Sequence, residues 1–219
     1  MLELIGVRIE AAGRVLVQDL TARVAPGEVL ALMGDSGSGK SSLLAYLCGT
    51  LAPGLTGRGE VRLFGAAIHT LPTTQRRVAI LFQDDLLFPH LSVQDNLLFA
   101  LPGGRAPGRA RSRSQRLAQA NQALAEAGLE GYRERMPHTL SGGQRARVAV
   151  LRALLSEPRA LLLDEPFSRL DAALRERFRA FVFERIRDQR IPALLVTHDS
   201  LDVPAGARCI RLAPQAEHA

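Results

Sequence analysis

The stretch that decides the fold of this 219-residue chain is Gly34-Asp35-Ser36-Gly37-Ser38-Gly39-Lys40-Ser41-Ser42. It fits the phosphate-loop pattern of Gly, four residues, Gly, Lys and then Ser or Thr. The apolar run at residues 28–33 predicts a buried strand before the loop. Residues 42–47, which are apolar at helical spacing, predict a helix after it. A strand that leads through such a loop into a helix is the context that the motif requires.

The residue types in this loop suit the binding of phosphate groups. Its glycines let successive backbone N–H groups converge on one centre, and the helix N-terminus adds partial positive charge. Lys40 can reach the β- and γ-phosphates, and the Ser41 hydroxyl can ligate Mg²⁺. Lys40 is also the single lysine among 28 Lys and Arg residues. Because a compact ammonium differs from the planar fork of arginine, we infer a phosphate-binding role rather than chance.

Composition limits the classes of protein that the chain can belong to. A hydrophobic content of 47% and a charged content of 23% are ordinary for a globular protein with one sizeable core. No apolar run approaches the roughly 18–20 residues of a membrane span. The residues after Met1 lack the layout of a signal peptide, so a cytosolic location is expected. Cys48 and Cys209 are expected to be two buried, reduced thiols.

The net charge of +6 permits an acidic partner such as nucleic acid, anionic lipid or nucleotide. A cluster of arginines lies in Pro/Gly-rich and Ser-rich sequence and comprises Arg105, Arg109, Arg111, Arg113 and Arg116. No aromatic residue separates these arginines, so they offer no platform for stacking single-stranded bases. A solvated loop running into a helix face, or contact with a membrane surface or a partner protein, remains open for this segment.

The periodicity of apolar residues predicts alternating strands and helices. An N-terminal hairpin is predicted over residues 2–9 and 14–24, with further strands at 28–33, 59–65 and 77–82. Helical patterns at 92–101 and 113–127, separated by a Gly/Pro/Arg segment, predict a helical insertion over residues 84–140. Helices at 142–156 and 171–187 then alternate with strands at 160–163, 193–197 and 207–212. This alternation predicts a mainly parallel sheet covered on both faces.

Two acidic residues follow the apolar strand at 160–163. The end of that strand places Asp164 at the carboxyl edge of the sheet, where ligands of such folds bind. Asp164 would hold Mg²⁺ directly or through water, and Glu165 could polarise the water that attacks a γ-phosphate. An Asp-Glu-Pro turn that only closes the strand is the alternative at this point.

A second candidate anion site is Leu140-Ser141-Gly142-Gly143-Gln144, which we call the signature segment. Ser141 is a good N-cap, and the two glycines let backbone N–H groups approach an anion closely. An ordinary capped helix is the alternative interpretation of this segment taken alone.

Taken together and in this order, the motifs resemble those of the ATP-binding cassette (ABC) family over nearly the whole chain. Residues 82–93 and 161–174 are similar to those of bacterial importer ATPases, and in detail to the YnjD-type subgroup. The resemblance implies an α/β fold. It comprises a P-loop NTPase core with a mainly parallel sheet, an N-terminal antiparallel β subdomain and a helical insertion subdomain. We expect one domain, with its core at 1–83 and 141–219 and the helical subdomain at about 84–140.

The resemblance also implies a set of site residues. Gln83 matches the glutamine that senses Mg²⁺ and the attacking water, His198 matches the histidine that contacts the γ-phosphate, and Asp171 lies in a loop that crosses the dimer interface. The expected catalytic residues are Glu165, His198, Gln83 and Lys40. The expected ligands of Mg²⁺ are Ser41, Gln83 and Asp164. The expected ATP contacts are residues 34–42 together with Ser141, Gly142, Gly143, Gln144 and Asp171.

For the family, these residues imply an ATPase subunit that drives solute transport, in the direction of import. The implied partners are a second copy of the chain in a head-to-tail dimer, an integral membrane permease and, for import, an extracytoplasmic solute-binding protein. The expected location is the cytoplasmic face of the cell membrane. The alternative function is a non-transport cassette ATPase acting on nucleic acid or ribosomes. The stretch between Gln83 and Leu140 is too short for the long coiled coil of the DNA-repair members, so no nucleic acid is expected.

Two features of the sequence depart from the family pattern. The family usually places an aromatic residue on the first hairpin to stack on adenine, whereas the first aromatic residue here is Tyr46. Arg8 or Arg14 could stack on the base instead, or selectivity among purine nucleotides could be weak. Arg169 stands where a small residue is usual, next to the loop that carries Asp171.

Overall fold

A computed structural model describes residues 1–102 and 111–212. The described residues form two compact units. The first unit contains residues 1–80, 159–165 and 186–212, and the second contains residues 81–102, 111–158 and 166–185. Across this described part of the chain, no helix is both long and apolar enough to cross a membrane.

The first part of the chain supplies most of the strands. In order, the elements are β1 (Leu2–Ala11), β2 (Arg14–Val24), β3 (Val29–Met33), α1 (Lys40–Cys48), β4 (Leu55–Leu63), β5 (Ala66–Ala67), α2 (Thr73–Arg76) and β6 (Val78–Leu81). A four-stranded antiparallel sheet has the order β2-β1-β4-β5. Leu2, Leu4, Val7 and Ile9 of β1 are buried, so this sheet turns one face of β1 toward the core.

The remaining elements alternate helix and strand, as the sequence predicts. They are α3 (Val93–Ala100), α4 (Arg113–Glu126), α5 (Gly142–Leu155), β7 (Ala160–Asp164), α6 (Ala172–Asp188), β8 (Ala193–Val196) and β9 (Arg208–Arg211). In the second unit, α3, α4 and α5 pack against one another. Each of these helices begins at a serine N-cap, namely Ser92, Ser112 or Ser141, whose hydroxyl accepts a backbone N–H three residues later.

A second sheet has five strands in the order β6-β7-β8-β3-β9, and the phosphate loop follows β3, one of its inner strands. β3 pairs in parallel with β8 and β9, and β7 pairs in parallel with β8. All residues of β7 and β8 are buried, which explains why both strands are apolar throughout except at Asp164, the last residue of β7. Because parallel strands end at one edge, β3, β7 and β8 deliver the residues that follow them to the same edge of the sheet.

The predicted hairpin, parallel sheet and helices are confirmed, with differences at the edges of elements. β4 begins at Leu55, before the predicted residue 59. Its Gly57 faces Tyr46, and a Cβ there would lie 2.4 Å from the Tyr46 ring, so the strand lacks the side-chain alternation that marks a strand in sequence. The prediction of two buried thiols is wrong for Cys209, which is exposed, whereas Cys48 is buried. Burial raises the pKa of the Cys48 thiol to about 12.

The compact units do not follow the predicted domain boundaries. The expected core of residues 1–83 and 141–219, with a helical subdomain at about 84–140, stays a prediction. In the structure, α5 belongs to the second unit because it packs against α3 and α4. Most of the Gly/Pro/Arg segment at residues 102–111 lies outside the described residues.

Candidate functional site

The phosphate loop, residues 34–42, links β3 to α1 through positions that only glycine suits. Gly39 is the N-cap of α1 with a φ of 86°, and a Cβ there would lie 2.9 Å from Val17 Cγ2 and 3.0 Å from the Leu16 oxygen. Gly34 has a φ of 150°, and its Cβ would lie 2.3 Å from the Leu212 oxygen. Neighbouring backbone therefore closes around the loop and fixes its shape.

The Lys40 ammonium turns back into this loop. Its Nζ donates to the Gly34 oxygen at 2.7 Å, to the Asp35 oxygen at 2.7 Å and to Ser38 Oγ at 3.3 Å. These three contacts match the three donors of an ammonium group. Lys40 thus lies among the backbone atoms of the loop, where the oxygens of a bound phosphate could replace its present acceptors.

Ser41 and Asp164 form a hydrogen-bonded pair between the start of α1 and the end of β7. Ser41 Oγ donates to Asp164 Oδ2 at 3.0 Å, and Asp164 is 9% exposed. The pKa of the Asp164 carboxyl is raised, mainly by burial and also by the nearby negative charge of Glu165. The hydrogen bond from Ser41 and the positive charge of Lys40 act in the opposite direction and lower it.

The pair of Ser41 and Asp164 fits a magnesium ion. Within residues 1–102 and 111–212, no group of three or more His, Cys, Asp and Glu side chains is arranged to hold a metal. A metal at this pair would therefore have one carboxylate and one hydroxyl from the protein and would need further oxygens from a phosphate or from water. Magnesium usually binds in this way, through one or two carboxylates plus substrate phosphates.

Glu165 and His198 meet at the edge formed by β7 and β8. His198 Nδ1 lies 3.0 Å from Glu165 Oε1, and the side chains are 66% and 22% exposed respectively. Glu165 has a φ of 48°, and its N–H donates to the Val196 oxygen at 3.0 Å. A non-glycine residue held in the left-handed region costs energy, and such residues cluster at functional sites. This backbone conformation favours a functional role for the Asp-Glu-Pro stretch, which stays a prediction.

A buried polar pair shapes the loop that carries His198, and sequence reasoning missed it. Thr197 Oγ1 donates to Asp202 Oδ2 at 3.0 Å, and both residues are buried. The Asp199 N–H donates to Thr197 Oγ1 at 3.1 Å. Because these bonds brace the residues on both sides of His198, they fix where its ring leaves the sheet. A buried Asp four residues after the histidine carries no signal in sequence that separates it from a surface Asp.

The signature segment, residues 140–144, begins α5 in the second unit. Ser141 Oγ accepts the Gln144 N–H at 3.3 Å, and Gln144 Oε1 accepts the Ser141 N–H at 2.8 Å. This reciprocal pair is a capping box. A Cβ at Gly143 would lie 3.0 Å from both the Arg169 oxygen and Leu170 Cδ2, so this glycine is also required for packing.

Two other predicted site residues lie in the second unit. Gln83 follows β6 and is exposed. Asp171 is exposed, and its Oδ1 accepts the Leu174 N–H at 3.0 Å at the start of α6. The structure therefore brings together residues 34–42, Asp164, Glu165 and His198 in the first unit. It places Gln83, the signature segment and Asp171 in the second unit.

Comparison with known proteins decides the family. Residues 17–168 match the family model described as ABC transporter. The chain belongs to the ABC transporter family. It is 49% identical over 203 residues to the uncharacterized ABC transporter ATP-binding protein YnjD of Escherichia coli (strain K12), which covers 93% of this chain and 91% of that relative. The thiamine import ATP-binding protein ThiQ of Vibrio vulnificus (strain YJ016) is 42% identical over 191 residues, covering 86% of this chain and 78% of the relative.

A solved structure supports the same assignment. The dimeric structure of MJ0796, a bacterial ABC transporter cassette, superposes with a TM-score of 0.82 at 28% identity, covering 98% of this chain and 95% of that one. A second MJ0796 structure, with the same TM-score of 0.82, is a post-hydrolysis state bound to ADP and Pi. The predicted family, the α/β fold and the function of an ATP-binding, ATP-hydrolysing ABC transporter subunit are thereby confirmed. The roles of individual residues stay predictions.

Proposed function

We propose that this ABC subunit powers solute import through a separate membrane permease, by ATP-driven closure of a dimer of two copies of the chain. The observation that carries the proposal is the arrangement at one sheet edge. Lys40, the Ser41–Asp164 pair and the Glu165–His198 pair all stand there, beside a phosphate loop of fixed shape.

The phosphate loop binds the ATP phosphates in this proposal. Backbone N–H groups of residues 34–42 converge on the phosphates, and Lys40 exchanges its loop acceptors for β- and γ-phosphate oxygens. Ser41 and Asp164 would hold Mg²⁺, which neutralises charge on the phosphates when bound. The family resemblance assigns Gln83 to the same ion and to the attacking water, and that assignment is part of the proposal.

Glu165 is the group that we assign to the attacking water. Its carboxylate can accept a proton of the water as the water oxygen bonds to the γ-phosphorus. The bond between the γ-phosphorus and the bridging oxygen breaks, and that oxygen stays on the β-phosphate of ADP. His198 lies 3.0 Å from Glu165 Oε1, so it can orient that carboxylate and contact the γ-phosphate. Phosphoryl transfer needs mainly positioning and charge stabilisation, which Lys40 and the helix start supply.

The signature segment of a second copy is assigned to the other side of the same ATP. Ser141, Gly142, Gly143 and Gln144 present the N-terminus of α5, which favours an anion. Asp171 is assigned to the dimer interface. A γ-phosphate that binds both copies closes the dimer, and its hydrolysis removes the shared anion. The dimeric form of the related MJ0796 cassette supports this arrangement.

Import is supported by the relatives rather than by the site. ThiQ is named as a thiamine import protein, and another relative is the sn-glycerol-3-phosphate import ATP-binding protein UgpC of Paracoccus denitrificans (strain Pd 1222). These relatives serve chemically different solutes, so the ATP site does not select the solute. We assign solute choice to the permease and to an extracytoplasmic solute-binding protein, and we place the chain at the cytoplasmic face of the membrane.

The test is to purify the tagged chain from detergent-solubilised membranes. We expect one integral membrane protein to co-purify, and ATP hydrolysis by the complex in proteoliposomes to accompany uptake of its solute. A Glu165→Gln complex is the matched control, since it should assemble but not transport. Recovery of nucleic acid or ribosomes in place of a membrane protein would overturn the proposal.

A further inference from the structure

Asp85 lies at the centre of a charged cluster in the second unit. Asp85 Oδ2 accepts Arg145 Nε at 3.0 Å and Arg169 Nη1 at 3.1 Å. We call Asp85, Arg145 and Arg169 the Asp85 cluster. The Asp85 side chain is only 11% exposed, whereas that of its neighbour Asp84 is 85% exposed. The interaction of a shielded carboxylate with two guanidinium groups is stronger than that of an exposed ion pair.

The cluster joins three segments that are distant in sequence. Asp85 lies two residues after Gln83 in the chain. Arg145 belongs to α5, and its Nη1 also donates to the Leu140 oxygen at 2.7 Å, directly before the signature serine. Arg169 lies two residues before Asp171, and its backbone oxygen would be 3.0 Å from a Cβ at Gly143. One carboxylate therefore ties together the loop after Gln83, the signature segment and the loop before Asp171.

The backbone after Asp85 is held as well. Arg152 of α5 donates from Nη1 to the Leu86 oxygen at 2.8 Å and from Nη2 to the Asp85 oxygen at 3.3 Å. Leu86 has a φ of 45°, a left-handed value that non-glycine residues seldom adopt unless their surroundings hold it. The segment after Gln83 is thus attached to α5 twice, through the Asp85 side chain and through the backbone oxygens of Asp85 and Leu86.

We propose that Asp85 is a positioning residue for ATP hydrolysis. It fixes the register of the loop after Gln83 against the signature segment and the loop before Asp171, so that displacement of one segment displaces the others. Arg169, which replaces the small residue usual in the family, supplies the link to the third segment. This inference rests on the proposed function, because it concerns residues assigned there to catalysis and to the ATP-bound dimer.

The test compares Asp85→Asn with Asp84→Asn in the full-length chain. Both changes remove one negative charge at adjacent positions. Asp84 Oδ1 also accepts Arg169 Nη2, at 3.4 Å, but Asp84 is exposed, and only Asp85 is shared by Arg145 and Arg169. We expect kcat of Asp85→Asn to fall about tenfold, within the usual range of coupling between sites, while KM for ATP stays within about twofold. We expect Asp84→Asn to keep more than about half of the wild-type kcat, since exposed charges contribute little.

A double-mutant cycle with Arg169→Gln separates positioning from general destabilisation. If Asp85 and Arg169 act through each other, the double variant loses no more activity than Asp85→Asn alone, so the effects of the two single changes do not add. Arg169→Lys should be more active than Arg169→Gln, because lysine keeps the positive charge although it lacks the planar guanidinium group.

Several results would overturn the inference. The first is a kcat of Asp85→Asn within twofold of that of Asp84→Asn. The second is additivity of the effects of Asp85→Asn and Arg169→Gln in the double variant. The third is a fall in kcat of Asp85→Asn that is accompanied by an equal rise in its KM for ATP. If Asp85→Asn does not fold, Arg169→Gln alone decides, with a kcat within twofold of wild type counting against the cluster. Failure of the wild-type chain itself to hydrolyse ATP would instead contradict the proposed function.

Discussion

Replacement of Lys40 by arginine is the sharpest test of the proposed ATP site. The ammonium places three hydrogen bonds around a single nitrogen, two of them at 2.7 Å. A guanidinium is planar and wider, and it directs its donors along a fork. Neighbouring backbone also packs tightly against the loop, since a Cβ at Gly34 would lie 2.3 Å from the Leu212 oxygen, so we expect little room for the wider group.

The expected loss follows from the contacts that the fork cannot make. A hydrogen bond to a charged group contributes about 1.5 kcal/mol at the lower end of its usual range. If Lys40→Arg loses two such bonds to phosphate oxygens, binding weakens by about 3 kcal/mol. Since about 1.4 kcal/mol corresponds to a tenfold change, Kd for ATP should rise by roughly two orders of magnitude.

The assay is calorimetric titration with a non-hydrolysable ATP analogue and Mg²⁺. Arg58→Lys is a matched control, since it makes the reverse exchange at an exposed position of β4. We expect that control to bind as wild type does. Lys40→Ala should abolish measurable binding. A Lys40→Arg affinity within threefold of wild type would refute the reasoning and show that the single lysine is a compositional accident.

Three further predictions test the remaining parts of the site. Glu165→Gln should lower turnover by about 10²- to 10⁴-fold, as expected for loss of a general base, and should accumulate an ATP-bound dimer on gel filtration. A wild-type rate would exclude the assigned role. Asp164→Asn should raise the melting temperature of the nucleotide-free protein at pH 7. Burial raises the pKa of the Asp164 carboxyl in the folded state. The protonated carboxyl therefore stabilises the fold at a pH below the pKa of the unfolded state, and this stabilisation is lost as the pH rises through the pKa of the folded state. At pH 7 the buried carboxylate is charged, and a neutral amide removes that cost. The same variant should lose Mg²⁺-dependent stabilisation by ATP, and a lowered melting temperature without nucleotide would contradict the argument. Finally, Kd values for ATP and GTP should agree within about tenfold, because no aromatic residue precedes Tyr46 and the Arg8 guanidinium pairs with Glu10 at 2.6 Å. A hundredfold preference for ATP would contradict this expectation.

The features that sequence reasoning predicted well are those that the local chain determines. The phosphate loop depends on glycines at fixed offsets, and the start of α5 depends on the reciprocal bonds of Ser141 and Gln144. The apolar runs of strands β7 and β8 follow from burial on both faces. Each of these signals lies within a few residues of the feature that it predicts.

Contacts between distant residues could not be predicted in the same way. Ser41 and Asp164 were both assigned to magnesium, yet their hydrogen bond is a consequence of how α1 and β7 pack. The sharing of Asp85 by Arg145 and Arg169 gives no signal in sequence, since every one of these residue types is common on surfaces. Such contacts depend on which segments the fold brings together.

Arg76 shows the same limit at a buried position. Arg76 follows the polar residues Thr73, Thr74 and Gln75 in sequence, but it is only 8% exposed. Its guanidinium donates to backbone oxygens of four residues, which are Tyr46, Leu47, His69 and Leu71. Tyr46 and Leu47 lie in the last turn of α1, where carbonyl groups lack helical partners and a cation is favourable. Because backbone carbonyls occur at every residue, no sequence pattern identifies these partners.

The distribution of basic residues has a physical reason that these contacts make explicit. Each of four arginines donates to two or more different acceptors, which suits a planar fork with five donors; they are Arg76, Arg145, Arg152 and Arg169. Lys40 instead faces acceptors that surround one point within a loop closed by backbone. Guanidinium groups therefore suit contacts with separated acceptors, whereas we expect the centre of the phosphate loop to favour the smaller cation. This geometric difference between the two side chains is the reason why we expect Lys40→Arg to fail, although arginine serves at the other four positions.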